Sequence, residues 1–384
     1  PLHEPAHRRL MQLYAAAGQR AAALRQYRTL AETLERELGA TPDEASAALY
    51  EQIRRGERNP QGSRWSSAPP RLHAAPAPAP AVEVPALPFL GREEELAAIA
   101  AALDDPACRI LTLVGPGGMG KTRLAVQAAA QYQARHGDAV YRVSLVGVGS
   151  GERLLSTIGA ALAVADQGDP LERLVAALRD RRALLLLDNA DHALEGAPLL
   201  RDLVGRTRQL KLLVTSRERL QLSEEWVFDL GGLAVPPEGD EANAASYSAV
   251  QLFVQRARQV RADFELTPEE LPHVVAICRL VDGMPLAIEL AAAWVRVLTP
   301  GAIADELEQS MALLTTTLRD IPERHRSVEG VFAQSWERLS PAERQALRRL
   351  SIFEDGFTRV AASEVAGATP LVLAGLTDKA LVRR

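Results

Sequence analysis

The stretch GPGGMGKT, residues 115–122, constrains this chain more than any other. It follows an apolar run, RILTLV, and precedes TRLAVQAAAQYQ, whose apolar spacing is helical. Glycines at these positions let the backbone curl so that successive N–H groups face one point. A helix starting there adds the positive end of its dipole, so the loop is suited to phosphate. Lys121 would reach the β- and γ-phosphates of a nucleotide, and the Thr122 hydroxyl would hold Mg²⁺. The expected phosphate contacts are therefore Gly115, Pro116, Gly117, Gly118, Met119, Gly120, Lys121 and Thr122, with Arg123 beside them.

A loop of this kind sits between a strand and a helix, and the surrounding pattern extends that unit. Apolar runs of strand length lie at 109–115, 139–145, 183–189 and 211–217, with helical stretches at 120–136, 151–163, 171–180 and 195–207 between them. Strands apolar on both faces that alternate with helices predict a parallel α/β sheet of the P-loop NTPase type over residues 87–233. From about 240 onward the pattern is helical, with AVQLFVQRARQV, LPHVVAICRLV and PLAIELAAAWVRVL as its clearest segments.

Two strand ends carry further chemistry. The run ALLLLDN delivers Asp188, the second expected magnesium ligand beside Thr122. The next residue is Asn189 rather than a second acid, and the following carboxylate is Asp191. An asparagine can hold a water but cannot take its proton, so Asp191 is the candidate substitute base and hydrolysis is expected to be slow. The strand KLLVTSR ends in Arg217, placed to point at a γ-phosphate and report its presence. Asp188, Asp191 and Arg217 form the expected catalytic set.

Outside this region the residues say less. Residues 1–56 read as helices, with Leu10, Leu13, Tyr14, Leu24, Tyr27, Leu30, Leu34 and Leu38 at three- and four-residue steps, Gly18 at a turn, Gly39 as a cap, and a third helix from Thr41. The order Tyr14, Gly18, Leu24, Tyr27 is similar to one tetratricopeptide helix pair, which does not bury its apolar face alone, so a larger helical domain is expected. Residues 57–86 are rich in proline, alanine and serine and read as a linker able to span roughly 80–90 Å if extended. A net charge of −5 argues against a chain-wide nucleic-acid footprint. Three of the 44 basic residues are lysines, which leaves Lys121 nearly alone of its kind. Cys108 and Cys278 form no ligand-spaced motif and are expected as buried thiols of a cytoplasmic protein. His192 and His325 are expected as hydrogen-bonding or capping groups, and Trp294 and Trp336 as core. Neither an export signal nor an apolar run long enough for a bilayer is present, so no membrane partner is expected. A start on Pro1 and an end in VLAGLTDKALVRR suggest a fragment.

Taken together, these motifs resemble the STAND class of signal-transduction ATPases, in the NB-ARC-like form of large bacterial transcription regulators. FLGREEE (89–95) is similar to that family's opening motif, which implies that Phe89, Leu90 and Arg92 pack beside adenine; Glu93 and Glu95 also suit a first helical turn. LLLLDNADH is similar to its magnesium-binding strand, and LLVTSRERL to its sensor strand, which in that fold lies between the phosphate-loop and magnesium strands. GMPLAIELAA (283–292) fits a Gly-x-Pro motif whose Pro285 would touch the base. Residues 324–357 resemble the start of a winged-helix domain, and residues 1–56 the end of a bacterial transcriptional activator domain.

The resemblance implies five parts: an activator-domain segment (1–56), a linker (57–86), a nucleotide-binding domain (87–233), a helical domain (234–322) and a winged helix (323–384). It also implies ATP or ADP with Mg²⁺, a closed ADP form, and a self-associating ATP form. DNA would be reached only through a region absent from this chain. The rival reading from the residues is a P-loop hydrolase or kinase-like enzyme whose turnover is itself the function.

Overall fold

The computed structural model describes residues 4–16, 20–38, 42–55, 84, 89–164, 168–316, 326–353 and 356–383. The expectations on Gly18, Gly39, Thr41, His325, the boundary at 322/323 and, apart from Val84, the linker lie outside them. The chain forms two compact units, Pro1–Leu72 and His73–Arg384.

In the first unit, α1 (Glu4–Ala16), α2 (Arg20–Leu38) and α3 (Glu44–Arg55) pack around Met11, Ala15, Ala23, Leu30 and Ile53. The rings of Tyr27 and Tyr50 stack at 4.3 Å, and Arg20 Nε donates to the Ile53 carbonyl at 2.9 Å. The apolar face of α1 differs from the one expected: Leu10 and Leu13 are 41% and 53% exposed. The helix turns Met11 and Ala15, four residues apart, toward its neighbours, and Leu10 and Leu13 fall to either side of that line.

The second unit begins with α4 (Glu93–Asp104) and β1 (Ile110–Val114), then α5 (Lys121–His136), β2 (Ala139–Ser144), α6 (Gly151–Ala161), α7 (Pro170–Leu178), β3 (Arg182–Asp188), α8 (Ala197–Gly205) and β4 (Gln209–Ser216). A fifth strand, β5 (Glu225–Asp229), completes a parallel sheet in the order β2-β3-β4-β1-β5. The sensor strand β4 thus lies between β1 and β3, as the resemblance implied. The leucines of β3 explain the unbroken apolar run: Leu185 and Leu187 enter the core under α6, α7 and α8, whereas Leu184 and Leu186 enter the one under α4 and α5. The sequence pattern missed β5 because this edge strand pairs only with β1 and leaves Trp226 40% exposed, so EWVFD needs no continuous apolar run.

Beyond the sheet, α9 (Ser248–Val260), α10 (Leu271–Leu280), α11 (Pro285–Ala292) and α12 (Pro300–Gln309) enclose a core around Phe253 and Phe264. Trp294 is half-buried at its margin and donates from Nε1 to the Leu313 carbonyl at 2.8 Å. A last group, α13 (Val328–Glu337), α14 (Pro341–Leu350), α15 (Arg359–Ala366) and α16 (Pro370–Asp378), packs around Leu350, Ala362 and Leu376. A capping box between Ser340 and Glu343 starts α14, and Lys379 grips the same Glu343 carboxylate at 2.7 Å. Trp336 is half-buried rather than core, with the Arg348 guanidinium 5.1 Å above its ring. Among the described residues no single helix is long and apolar enough to cross a membrane. Cys108 and Cys278 are buried, and loss of hydration pushes their thiols up to about 11 and 12.

Candidate functional site

The loop after β1, the end of β3 and the end of β4 meet at the C-terminal edge of adjacent parallel strands, where α/β sheets bind ligands. Gly118 and Gly120 take φ of +81° and +84°, left-handed values that glycine adopts without a Cβ clash. Gly120 precedes the first residue of α5, so the helix N-terminus opens directly onto the loop. Lys121 donates to the carbonyls of Gly115 (2.7 Å) and Pro116 (2.9 Å). Loss of hydration pushes its ammonium down to about 8, with Asp191 and Asp188 pulling upward and Arg217 pushing down.

Behind the loop lies a compact carboxylate network. Asp188 Oδ1 accepts from Thr122 Oγ1 at 2.7 Å and Thr215 Oγ1 at 2.9 Å, and its Oδ2 accepts from Arg142 at 3.0 Å. Asn189 adopts φ +64°, a left-handed conformation that asparagine tolerates better than most residues, and its N–H donates to Thr215 Oγ1 at 2.8 Å. Asp191, buried, accepts the Arg217 backbone N–H at 2.6 Å and the Ser216 hydroxyl at 3.3 Å. His192 is exposed beside it and has no hydrogen bond among the described residues, contrary to expectation.

One cleft collects most of the expected residues. Phe89, Leu90 and Arg92 line it from the segment before β1, Pro285 from α11, and residues 117–123 from the loop. Arg217 lines it too, with Asn189 and Thr215. Gly115, Pro116, Asp188 and Asp191 are not on the cleft wall; the last two stand behind it, buried. Met119 shares the cleft wall but its side chain is buried in the core. Arg92 is also tied down, donating to Glu95 at 2.6 Å and to the Gly231 carbonyl at 2.7 Å.

Arg217 makes the contacts that sequence reasoning did not foresee. Its guanidinium donates to the Val331 carbonyl (3.0 Å) and Gln334 Oε1 (2.6 Å) of α13. A Cβ at Gly117 would stand 2.5 Å from Val331 Cγ1 and 3.1 Å from the same guanidinium, so α13 backs directly onto the phosphate loop. The two residues after Arg217 are held as well. Glu218 accepts from Arg338 at 2.6 Å, and Arg219 reaches Asp378 through its backbone N–H (3.0 Å) and its guanidinium (3.3 Å). Three consecutive residues at the end of β4 are thereby fastened to the last helical group. Sequence reasoning also passed over Arg142 and Glu289. The second had a visible signal, an acid one helical turn after Pro285 in an otherwise apolar helix.

Residues 1–54 match the family described as "Bacterial transcriptional activator domain" and residues 105–222 the one described as "AAA domain". A Mycobacterium tuberculosis protein provisionally named an HTH-type transcriptional regulator is 34% identical over 287 residues, which is 71% of this chain and 31% of that protein. Regulatory protein AfsR of Streptomyces griseus is 31% identical over 375 residues, 92% of this chain and 35% of its own length. The chain therefore spans roughly a third of the length of each of these two proteins. Among solved structures, a STAND protein with a tetratricopeptide repeat sensor from Pyrococcus horikoshii aligns with 80% of this chain and 42% of its own, at 18% identity and a TM-score of 0.33. This chain thus joins a segment that matches the bacterial transcriptional activator domain to one that matches the AAA domain, and most of its length is similar to part of larger bacterial transcription regulators.

Proposed function

We propose that the chain is a nucleotide-dependent switch of a cytoplasmic transcription regulator, with ADP held in a closed form and ATP favouring an open, self-associating one. The observation that carries this reading is the fastening of Arg217, Glu218 and Arg219 to α13, Arg338 and α16 beside the phosphate loop. A ligand shifts an equilibrium only by contacting its two states differently. Arg217 meets that requirement, because it shares the cleft wall with Lys121 while its guanidinium is committed to α13. In this proposal a γ-phosphate competes with Val331 and Gln334 for that guanidinium, and α13–α16, read as the winged helix, move away with it. Residues 1–56 would transmit the change as part of a tetratricopeptide-like domain, and DNA would be bound by a region outside this chain. In the same proposal the nucleotide-binding, helical and winged-helix domains keep the expected bounds of 87–233, 234–322 and 323–384.

Mg²⁺ fits the donors present: Thr122 Oγ1 and Asp188 Oδ1, hard oxygens 2.7 Å apart, suit a cation that takes few protein ligands. Bound there, it would neutralise phosphate charge. Slow turnover follows from Asn189, which cannot act as a base. The test is the nucleotide retained by purified protein together with steady-state turnover: retained ADP and slow turnover are expected, and many turnovers per second in the isolated chain would sink the switch in favour of an enzyme.

Asp191 is proposed as the base, and its bonds give it a second task, that of anchoring Arg217. Asparagine at this position keeps an acceptor for the Arg217 N–H but loses the proton-accepting carboxylate. Asp191→Asn and Asp191→Ala are therefore expected to slow turnover alike, by about 100-fold or more. Turnover retained in the asparagine variant would assign Asp191 to anchoring alone.

The low value for Lys121 makes nucleotide binding pH-dependent. Phosphate needs the ammonium form, so affinity for ADP should be flat below about 8. Above it, affinity should fall about tenfold per pH unit, as the lysine must regain a proton on binding. Calorimetry in buffers of different ionisation enthalpy reads the uptake directly. Lys121→Arg should remove the slope, since arginine stays charged throughout.

A further inference from the structure

We infer that Glu289, oriented by Arg256, is the residue that reads the ribose hydroxyls of the bound nucleotide. This rests on the nucleotide reading of the cleft and adds to it the group that recognises the sugar.

The first observation concerns charge. Among the described residues lining the cleft, Arg92, Lys121, Arg123 and Arg217 are basic, and Glu289 is the single acid. A carboxylate repels phosphate, so its place in such a cleft calls for a different ligand group, one that donates hydrogen bonds.

The second observation is position along the cleft. α11 starts on the phosphate loop: the Leu286 N–H donates to the Gly118 carbonyl at 3.2 Å, and Pro285 Cγ lies 4.0 Å from where a Gly120 Cβ would stand. Glu289 follows Pro285 by one turn on the same face, about 6 Å along the helix axis, and both line the cleft. The part of a nucleotide next after its phosphates is the sugar. The apolar side chains Phe89, Leu90, Leu233 and Leu252 form the slot suited to a base. The Glu289 side chain keeps 30% of its surface open, which suits the sugar at the mouth better than the enclosed edge of a base.

The third observation is preorganisation. Arg256 Nη2 donates to Glu289 Oε1 at 2.6 Å, and Arg256 Nη1 is held by Gln259 at 2.9 Å. Among the described residues Oε2 has no hydrogen-bond partner, which leaves one carboxylate oxygen to accept from the sugar. Leu252 and Pro285, each one turn before Arg256 and Glu289 on its own helix, both line the cleft, so the ion pair stands at its margin.

The test titrates the whole chain with ADP, 2′,3′-dideoxy-ADP and GDP by calorimetry, in the natural protein and in Glu289→Ala. The natural protein is expected to bind dideoxy-ADP about 10- to 100-fold more weakly than ADP, the size of a lost hydrogen bond to a charged group. Glu289→Ala should bring that ratio close to one and leave the ADP-to-GDP ratio unchanged. A natural-protein ratio near one overturns the inference, whatever the variant does. A ratio unaltered in Glu289→Ala overturns it too, because a purely structural role weakens all three ligands alike. A change confined to the ADP-to-GDP ratio overturns it in favour of base reading. No binding of any of the three by the natural protein overturns the nucleotide reading itself.

Discussion

Lys121→Ala should lower affinity for ADP and ATP by about 10- to 100-fold while leaving the fold intact. Charge-assisted hydrogen bonds to phosphate each contribute about 1.5–3 kcal/mol, and alanine removes the donor along with its charge. The protein itself loses little, because among the described residues the Nζ bonds only to carbonyls of its own loop, at Gly115 and Pro116. The sign of the lysine's shift supports this: its ammonium is less favoured in the folded chain than in water, so its removal should hold or raise Tm. Equilibrium titration with a fluorescent ADP analogue, paired with thermal unfolding, separates the two effects. A fall in Tm with affinity preserved would mean that the loop is structural.

The second large effect belongs to Arg217→Ala. Arg217 is buried, pairs with buried Asp191 at 3.5 Å, and joins β4 to Val331 and Gln334. Removing one partner of a buried pair costs about 3–5 kcal/mol, because the remaining charge loses its counterion. The loss should be local. Amide exchange in α13–α16 is expected to quicken by on the order of 100-fold or more, with β1, β3 and β4 nearly unchanged. Arg201→Ala, at an exposed site, should do nothing comparable. The flanking pair offers a reciprocal check: reversing Glu218 and Arg338 singly should loosen the same helices, and reversing both should restore them. Uniform loss of protection across the sheet would mean that Arg217 supports the whole fold rather than this attachment.

How much of this was legible beforehand depended on whether a feature is local. The four leucines of β3 announced a strand buried on both faces, since each face of the sheet carries its own helices and core. The glycine loop was equally plain, because its left-handed turns and its helix start are encoded within eight residues. Asn189 looked like a missing acid; its φ of +64° gives it a backbone reason to be asparagine. β5 escaped notice because an edge strand does not need two apolar faces, and the face of α1 was misread by one residue for want of its neighbours.

The sequence by itself determined the parallel sheet, the phosphate loop and the identity of the groups at its strand ends. These follow from hydrophobic period and from backbone conformations that few residues adopt. Tertiary structure alone decided what those groups touch. Arg217 meets a helix more than a hundred residues away, and Glu289 turns its carboxylate into a basic cleft beside an arginine of another helix. Such pairings join segments remote in the chain, and they depend on helix packing that no local pattern encodes.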